Sequence, residues 1–455
     1  MPADDAIKEK PQREGSLDAP MRHAIPWRDA EFYDEESFDK EFRRVAEICH
    51  SCRRCFNLCD SFPTLFDLID RSKNESVDDL TTADVKKVVD GCTLCDMCFM
   101  TKCPYVPPHE FNVDFPHLML RHRAIEKKKG ATKFADDQLV KTDRNGTLAR
   151  PVAGLANWAT ARENKTVRPL INKLADIDPG AELPRFHWRT LTARAKTARE
   201  INKSAPAYGK RKLAVYATCF ANYNKPEIGE TALAVLAKNG VDAKVVYPAC
   251  CGMPELEQGN LEKVAANAAK VSKALRPFVD DGYTVMGLVP SCSLMLKFEW
   301  PLILPEDENV KALARATMDF DEFLVDLSKK EGLAEGLRAV KGGVTLHISC
   351  HSRAQNIGQK SAELMKLIPD TEITVIERCS GHGGSWGVKK AHHETALKIG
   401  KPVAKKALDV HNSFVVSTCP LACDHIRTGI DVLEAGAAPA RSWHPIEIFA
   451  KAYGL

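Results

Sequence analysis

Sixteen cysteines, set in two separated blocks, constrain this 455-residue chain more than any other feature. Eight lie between Cys49 and Cys103, the other eight all follow residue 218, and the stretch between holds none. Disulfide frameworks belong to short secreted chains, which this is not. The N-terminus, MPADDAIKEKPQREG, is charged and lacks an apolar h-region, so no secretory leader is expected. No run of about 18 apolar residues exists to form a membrane span. Reduced thiols in the cytoplasm are therefore the expected state, and closely spaced cysteines there bind metal or carry redox chemistry. Lys and Arg number 64 against 61 Asp and Glu, a balance that gives no reason to expect a nucleic-acid partner.

The first block has two groups, Cys49-x2-Cys52-x2-Cys55-x3-Cys59 and Cys92-x2-Cys95-x2-Cys98-x4-Cys103-Pro104. A [4Fe–4S] cubane needs four thiolates; a C-x2-C-x2-C loop supplies three, and in two-cluster ferredoxins the fourth comes from the other motif. That rule assigns Cys49, Cys52, Cys55 and Cys103 to one cluster, and Cys92, Cys95, Cys98 and Cys59 to a second. Zinc held by CxxC pairs is the alternative. Asp60 follows Cys59 where the bacterial run has proline, and the last spacer of the second group is four residues rather than three. Arg53, Arg54 and Lys102 lie among these cysteines; they are either solvated loop charges or cations that favour a reduced cluster.

The chain reads as an α+β multidomain protein. A polar N-terminal tail (1–37) precedes an α-helical two-cluster ferredoxin-like domain (38–115), which includes a helical stretch from Val77 to Val89 with Thr82 as a capping candidate. A Lys-, Arg- and Ala-rich helical linker (116–210) follows. From residue 211, short β-rich runs (Leu213–Thr218, Ala243–Tyr247, Tyr283–Val289, Val344–Ile348, Glu372–Glu377, Ser413–Ser417) alternate with helical ones, the pattern of largely parallel α/β sheets. Cys219, Cys250 and Cys292 recur as Cys350, Cys379 and Cys419 at offsets of 131, 129 and 127 residues. Each follows a predicted strand, and the carboxyl ends of strands are where open α/β sheets build sites. Two related lobes, 211–338 and 339–455, are expected.

Lobe one offers Cys219, Cys250, Cys251-Gly252 and Cys292; lobe two offers Cys350, Cys379, Cys419 and Cys423. This set resembles the cysteine-rich CCG domain, C-x(about 30)-C-C-G-x(about 35–40)-C-x-x-C. That domain occurs twice in heterodisulfide reductase B/D-type subunits, in the C subunit of anaerobic glycerol-3-phosphate dehydrogenase, and in iron–sulfur subunits of glycolate and lactate oxidation systems. The resemblance spans residues 40–455. It implies that each lobe's cysteines hold an iron–sulfur centre, cubane or non-cubane. It also implies electron transport between a dehydrogenase, or a thiol/disulfide substrate, and another carrier. Met295 and Ser380 stand where the pattern has cysteine, and the last pair of lobe two is Cys419-x3-Cys423. A thioether or hydroxyl is a poor substitute for thiolate at iron, which leaves a cubane, a degenerate centre or zinc open in the lobes.

Cys350, Cys379 and His351 are the candidates for catalytic chemistry. His347 and His351 bracket Cys350 and could move protons or orient a thiolate, although a hydrogen-bonded structural role is the commoner one for such histidines. Arg353 could bind an anion or lie at the surface. The glycines of Gly381-His382-Gly383-Gly384-Ser385-Trp386-Gly387 permit close backbone approach, and the run does not fit a dinucleotide fingerprint. His382 and Trp386 could line a pocket or pack in the core. The chain is thus expected to be an iron–sulfur oxidoreductase subunit that works with a flavoprotein dehydrogenase or electron carrier, peripherally at a membrane or free of one. A stand-alone disulfide or thiol reductase and a non-redox zinc/cysteine scaffold are the competing readings.

Overall fold

Apolar residues at helical spacing, with capped starts, build the first part of the chain. The computed structural model describes residues 20–197 and 199–455. Asp34 caps α1 (Glu35–Cys52) by accepting from the Ser37 N–H, and Phe38, Phe42, Val45 and Ala46 form its buried face. α2 (Ser61–Asp70) buries Phe62, Leu65, Phe66 and Ile69. The helix expected from Val77 divides: Val77–Asp79 is a 3-10 turn, and α3 runs over Thr82–Gly91. Thr81, not Thr82, is its cap, because Thr81 and Asp84 satisfy each other's backbone N–H groups in a capping box. α4 (Phe115–Lys128) starts at Asp114.

The expected polar tail needs correction over residues 20–37, while residues 1–19 lie outside the described residues. Ile25 and Phe32 are buried, the Ile25 N–H donates to Leu302 O, and the Trp27 indole donates to Ile303 O. Arg22 holds the segment down. Its guanidinium pairs with Asp96 at 2.7 Å, Asp114 at 2.9 Å and Glu299 at 3.0 Å, joining the tail to the second cysteine group, the start of α4 and lobe one. A polar composition reads as disorder only while its charges are unpartnered.

Short helices connect α4 to the lobes: α5 (Phe134–Leu139), α6 (Thr142–Ala149), α7 (Ala153–Thr160), α8 (Arg168–Leu174) and α9 (Leu191–Arg194). Lobe one then runs β1 (Lys212–Tyr216), α10 (Cys219–Tyr223), α11 (Pro226–Lys238), β2 (Asp242–Val246), α12 (Met253–Glu257), α13 (Leu261–Asp280), β3 (Thr284–Gly287) and α14 (Pro290–Leu294). After a π-helical turn over Met295–Glu299 come α15 (Trp300–Ile303), α16 (Glu308–Ala316), β4 (Thr317–Asp319) and α17 (Phe320–Lys330). Lobe two repeats the plan with β5 (Val344–His347), α18 (Cys350–Ala354), α19 (Lys360–Met365), β6 (Ile373–Ile376), α20 (His393–Val410), β7 (Phe414–Ser417), α21 (Pro420–Leu433) and α22 (Pro445–Tyr453).

Both sheets are parallel, in orders β2-β1-β3-β4 and β6-β5-β7. The first strand of each lobe is therefore flanked by the second and third, which gathers three strand ends at one edge. β4 had no sequence signal, being three residues long. The lobes share one core: Leu213, Val215, Phe320 and Phe323 pack in the same cluster as Leu346, Val416, Ile446 and Phe449. A second core joins Phe42, Phe62 and Val88 of the N-terminal helices to Val264, Leu296 and Trp300 of lobe one. Among the described residues, no helix is long and apolar enough to cross a membrane.

Removing Arg22 leaves Asp96 unpaired and Asp114 and Glu299 with His117 alone, so Arg22→Met is expected to destabilise the protein by about 3–5 kcal/mol. Burial alone would raise the Glu299 pKa, but His117 and Arg22 hold it down to about 2. A depressed carboxylate contributes stability above its unfolded value, and that stability drains as pH falls through its folded value. Unfolding midpoints measured from about pH 4.5 down to pH 2 should fall for the wild type and flatten for Glu299→Gln. Parallel curves would remove Glu299 from the account.

Candidate functional site

The last turn of α1 carries Cys49 and Cys52. Arg53 then takes a left-handed conformation (φ 52°) and swings the chain toward Cys55 and Cys59. Cys92 ends α3; Leu94 and Asp96 are also left-handed, so the backbone curls around Cys95. Cys98–Lys102 form a π-helical turn in which the Cys103 N–H donates to Cys98 O at 2.8 Å, and this is what the four-residue spacer encodes.

These turns sort the eight thiols. Burial raises Cys49, and the negative charge of Cys103, Cys55 and Cys52 raises it further. Cys59 is likewise raised by burial and then by Cys92 and Cys95, while the Ser61 and Phe62 N–H groups favour its thiolate. Each group's last cysteine thus faces the other group. Lys102 and Arg54 pull against the rise of Cys55, which burial pushes to about 12. Arg53 turns away, donating to Asp70 at 2.9 Å and lying 5.3 Å from the Phe66 ring centroid.

In the lobes the cysteines sit where the strands end. Cys219 opens α10 behind Thr218, a β-branched residue at φ 56°, and Cys350 opens α18. Cys250 and Cys251 follow β2, and Cys292 lies in α14; Cys219–Cys250 and Cys251–Cys292 are 3.6 and 3.3 Å apart, sulfur to sulfur. Gly252 (φ 86°) turns its N–H onto Cys250 Sγ at 3.5 Å, and Gly381 (φ 80°) does the same to Cys379 Sγ at 3.3 Å. A Cβ at Gly381 would lie 1.9 Å from Ala396 O, so glycine is required for conformation and for space alike. None of the sixteen cysteines forms a disulfide.

Cys219, Cys251, Cys292, Cys350, Cys379 and Cys419 line a single cavity of about 330 Å³, and Cys95 from the first block joins them. Cys95 and Cys350 both face this cavity, close enough that the charge of Cys95 helps raise the Cys350 thiol. Cys423 does not line it. One helical turn beyond Cys419, Cys423 is fully buried in the lobe-two core and its thiol donates to Val415 O at 3.4 Å. Ser380 does line the cavity, whereas Met295 is buried in the core shared with the N-terminal helices.

The candidate histidines separate in the same way. His347 lies between Ser417 Oγ and Arg378 O, 2.9 Å from each, and burial pushes it down to about 4, the signature of a structural imidazole. His351 lines the cavity, 3.4 Å from Leu94 O, and burial lowers it as well. Arg353 sits where its charge lowers Cys379, whose pKa falls to about 7 mainly through its hydrogen bond with Cys350. Trp386 packs instead of reaching the cavity: its indole donates to Asp90 O at 2.7 Å and stacks on His392, tying lobe two to α3.

Sequence reasoning passed over three residues. His425 lines the cavity with His382, and the Nε2 atom of each is buried without a partner. Glu257 reaches the same cavity and a neighbouring cleft, and burial raises its carboxyl to about 7 against the pull of Arg123 and Lys389. Asp143 of α6 accepts from the Cys250 N–H at 2.9 Å. No motif marks these positions; they converge only through the packing of α6, α12 and α21.

Strand-end cysteine clusters repeated in two lobes define a cysteine-rich redox protein, and the relatives agree. The cysteine-rich CCG domain model matches residues 213–297 and again 344–425. The C subunit of anaerobic glycerol-3-phosphate dehydrogenase from Escherichia coli is 27% identical over 314 residues, covering 68% of this chain and 75% of that protein. Lactate utilization protein A of Bacillus pumilus is 31% identical over 190 residues, 39% of this chain and 75% of that protein. An uncharacterized iron–sulfur protein of Methanocaldococcus jannaschii is 26% identical over 345 residues, 75% of this chain and 57% of that protein. The chain belongs to the CCG cysteine-rich domain family, and its role is redox at the general level.

The geometry separates two neighbouring cysteines. Cys423→Ala should leave iron content unchanged and cost about 1–3 kcal/mol of stability. Cys419→Ala should lower the iron bound per chain. Equal iron loss in both variants, measured on anaerobically purified protein, would place Cys423 back among the ligands.

Proposed function

We propose that this chain is an iron–sulfur oxidoreductase subunit that passes electrons between a partner dehydrogenase or redox carrier and a centre held by the lobes. The observation that carries the reading is Cys95, which belongs to the first cysteine block yet lines the lobe cavity beside Cys350. On this reading Cys49, Cys52, Cys55 and Cys103 hold one [4Fe–4S] cluster, and Cys92, Cys95, Cys98 and Cys59 hold the other. Cys219, Cys250, Cys251 and Cys292 would hold a centre in lobe one, and Cys350, Cys379 and Cys419 contribute thiols from lobe two.

Among the described residues no three of these side chains converge tightly enough to hold a single metal ion, and the donor chemistry, four thiols to a set, suits the wider iron–sulfur clusters. The cysteines form no disulfides, fall into sets whose negative charges raise one another's pKa, and meet backbone N–H groups from Ser61, Phe62, Gly252 and Gly381. Clusters bound there would supply one-electron transfer. The chain's own part is electrostatic. The N–H dipoles and the nearby Arg54, Lys102 and Arg353 stabilise thiolate charge, while burial keeps bulk water away from it.

A second reading, thiol/disulfide reduction at Cys350 and Cys379, draws on Cys379 being the member of the pair whose thiolate is favoured, by Cys350, by the Gly381 N–H and by the charge of Arg353. His351 on the same wall could exchange a proton with the leaving sulfur. The cavity is large enough for a small disulfide, and the two readings share it.

Iron and acid-labile sulfide on anaerobically purified protein test the proposal. About eight irons per chain match two cubanes, and clearly more indicates a lobe centre. Zinc without sulfide would sink both redox readings. Cys95→Ser is expected to remove one cubane signal from the reduced low-temperature EPR spectrum. An unaltered spectrum would overturn the ligand assignment.

A further inference from the structure

Large apolar side chains stand outward on α6, α7 and α8. Helical structure is unbroken from Thr142 to Thr160, with a short 3-10 turn at Arg150–Val152. Along it Leu148, Val152, Leu155 and Trp158 recur at spacings of four, three and three residues, the interval of one helix face. All four are exposed, Leu148 at 66% and Leu155 at 62%. The inward side carries small residues instead. Gly146 is buried so tightly that a Cβ there would fall 2.4 Å from the Tyr223 ring, and Ala153 is buried too. This inverts the usual arrangement, in which a surface helix turns its large apolar residues to the core.

The next helix repeats the inversion. Leu170 and Leu174 on α8, one turn apart, are exposed. The helix is pinned by Arg168, a buried guanidinium that donates to Thr160 O at the end of α7 and, at 2.7 Å, to Ala181 O. Trp188 stands out beyond it, 71% exposed. Along this stretch the exposed charges have one dominant sign, although Arg162 also lies 4.0 Å from Asp431 of α21. Between Leu148 and Leu174 the exposed charged residues are Arg150, Arg162, Lys165 and Lys173 against Glu163 alone.

We propose that α6–α8 form a docking face for an anionic lipid surface. Leu and Trp side chains would enter the interfacial layer while the arginines and lysines meet lipid phosphates. A helix of this length lies in the interface and does not span it. Charge decides between possible occupants: a stripe of leucine and tryptophan set among cations fits a bilayer carrying negative headgroups. The inference stands apart from the cluster assignment, since none of the outward residues Leu148, Val152, Leu155, Trp158, Leu170 and Leu174 lines the cysteine cavity.

The test is co-sedimentation of the full chain, purified with its metal, with vesicles of phosphatidylcholine alone or with roughly one-third phosphatidylglycerol. Binding is expected to the anionic vesicles, weakening in about 1 M salt where charges are screened within ~3 Å. The double variant L155S/W158S should lose at least about tenfold in partitioning with unchanged circular dichroism and iron content, because both side chains are already in solvent. R162E/K165E should lose binding to the anionic vesicles as well. A wild type that stays in the supernatant, or an L155S/W158S chain that binds as the wild type does, overturns the proposal. Loss of a dimer in light scattering without any vesicle binding assigns the face to a second copy and equally overturns it.

Discussion

One buried guanidinium holds the parts of this molecule in register. Arg22 comes from a segment whose composition promises nothing, yet it neutralises Asp96 between two cysteines, Asp114 at the cap of α4 and Glu299 in the π-helical turn of lobe one. Carboxylates brought that close repel one another unless a cation sits among them. His117 adds a second cation, placed 3.2 Å from Glu299 and raised in pKa by Asp114 and Glu299 against burial and Arg22. The curl of backbone that carries Cys95 is anchored through Asp96, so the position of that thiol against lobe two depends on this charge cluster.

From that anchor the cavity follows by sheet geometry. Parallel strands with the first in the middle deliver three loop starts to one edge, and two lobes packed through a shared core bring two such edges together. Glycine at 252 and 381 lets the chain turn back so that an amide N–H faces sulfur. Residues with no chemical signature then complete the site: Glu257 from lobe one and His425 from lobe two line the walls, and Asp143 from the connecting helices holds the Cys250 N–H behind them. The two lobes are not equal in this. Lobe two presents Ser380 where lobe one presents Cys251, and it sends Cys423 into its core.

Much of this was legible in the chain before folding. Cysteine spacing is local, and so it identified the two motifs of the first block. The repeat offsets placed Cys219, Cys250 and Cys292 and their counterparts at strand ends, where the parallel sheets put them. Alternating β-rich and helical runs marked six of the seven strands among the described residues to within a residue or two, because each is a short β-rich run bounded by turn residues.

What tertiary structure alone decided is which of these groups meet. Helical pitch turned Cys423 away from Cys419. Cross-strand hydrogen bonds made His347 a structural residue while His351, four positions on, reached the cavity. Arg53 was drawn to Asp70 while Arg54 and Lys102 stayed near Cys55. Residues 20–37 became part of the core through Arg22, and the apolar stripe of α6 and α7 was left outside. Sequence pattern reports spacing along one chain. Charge pairing and burial depend on distances between segments far apart in sequence, and only folding sets them.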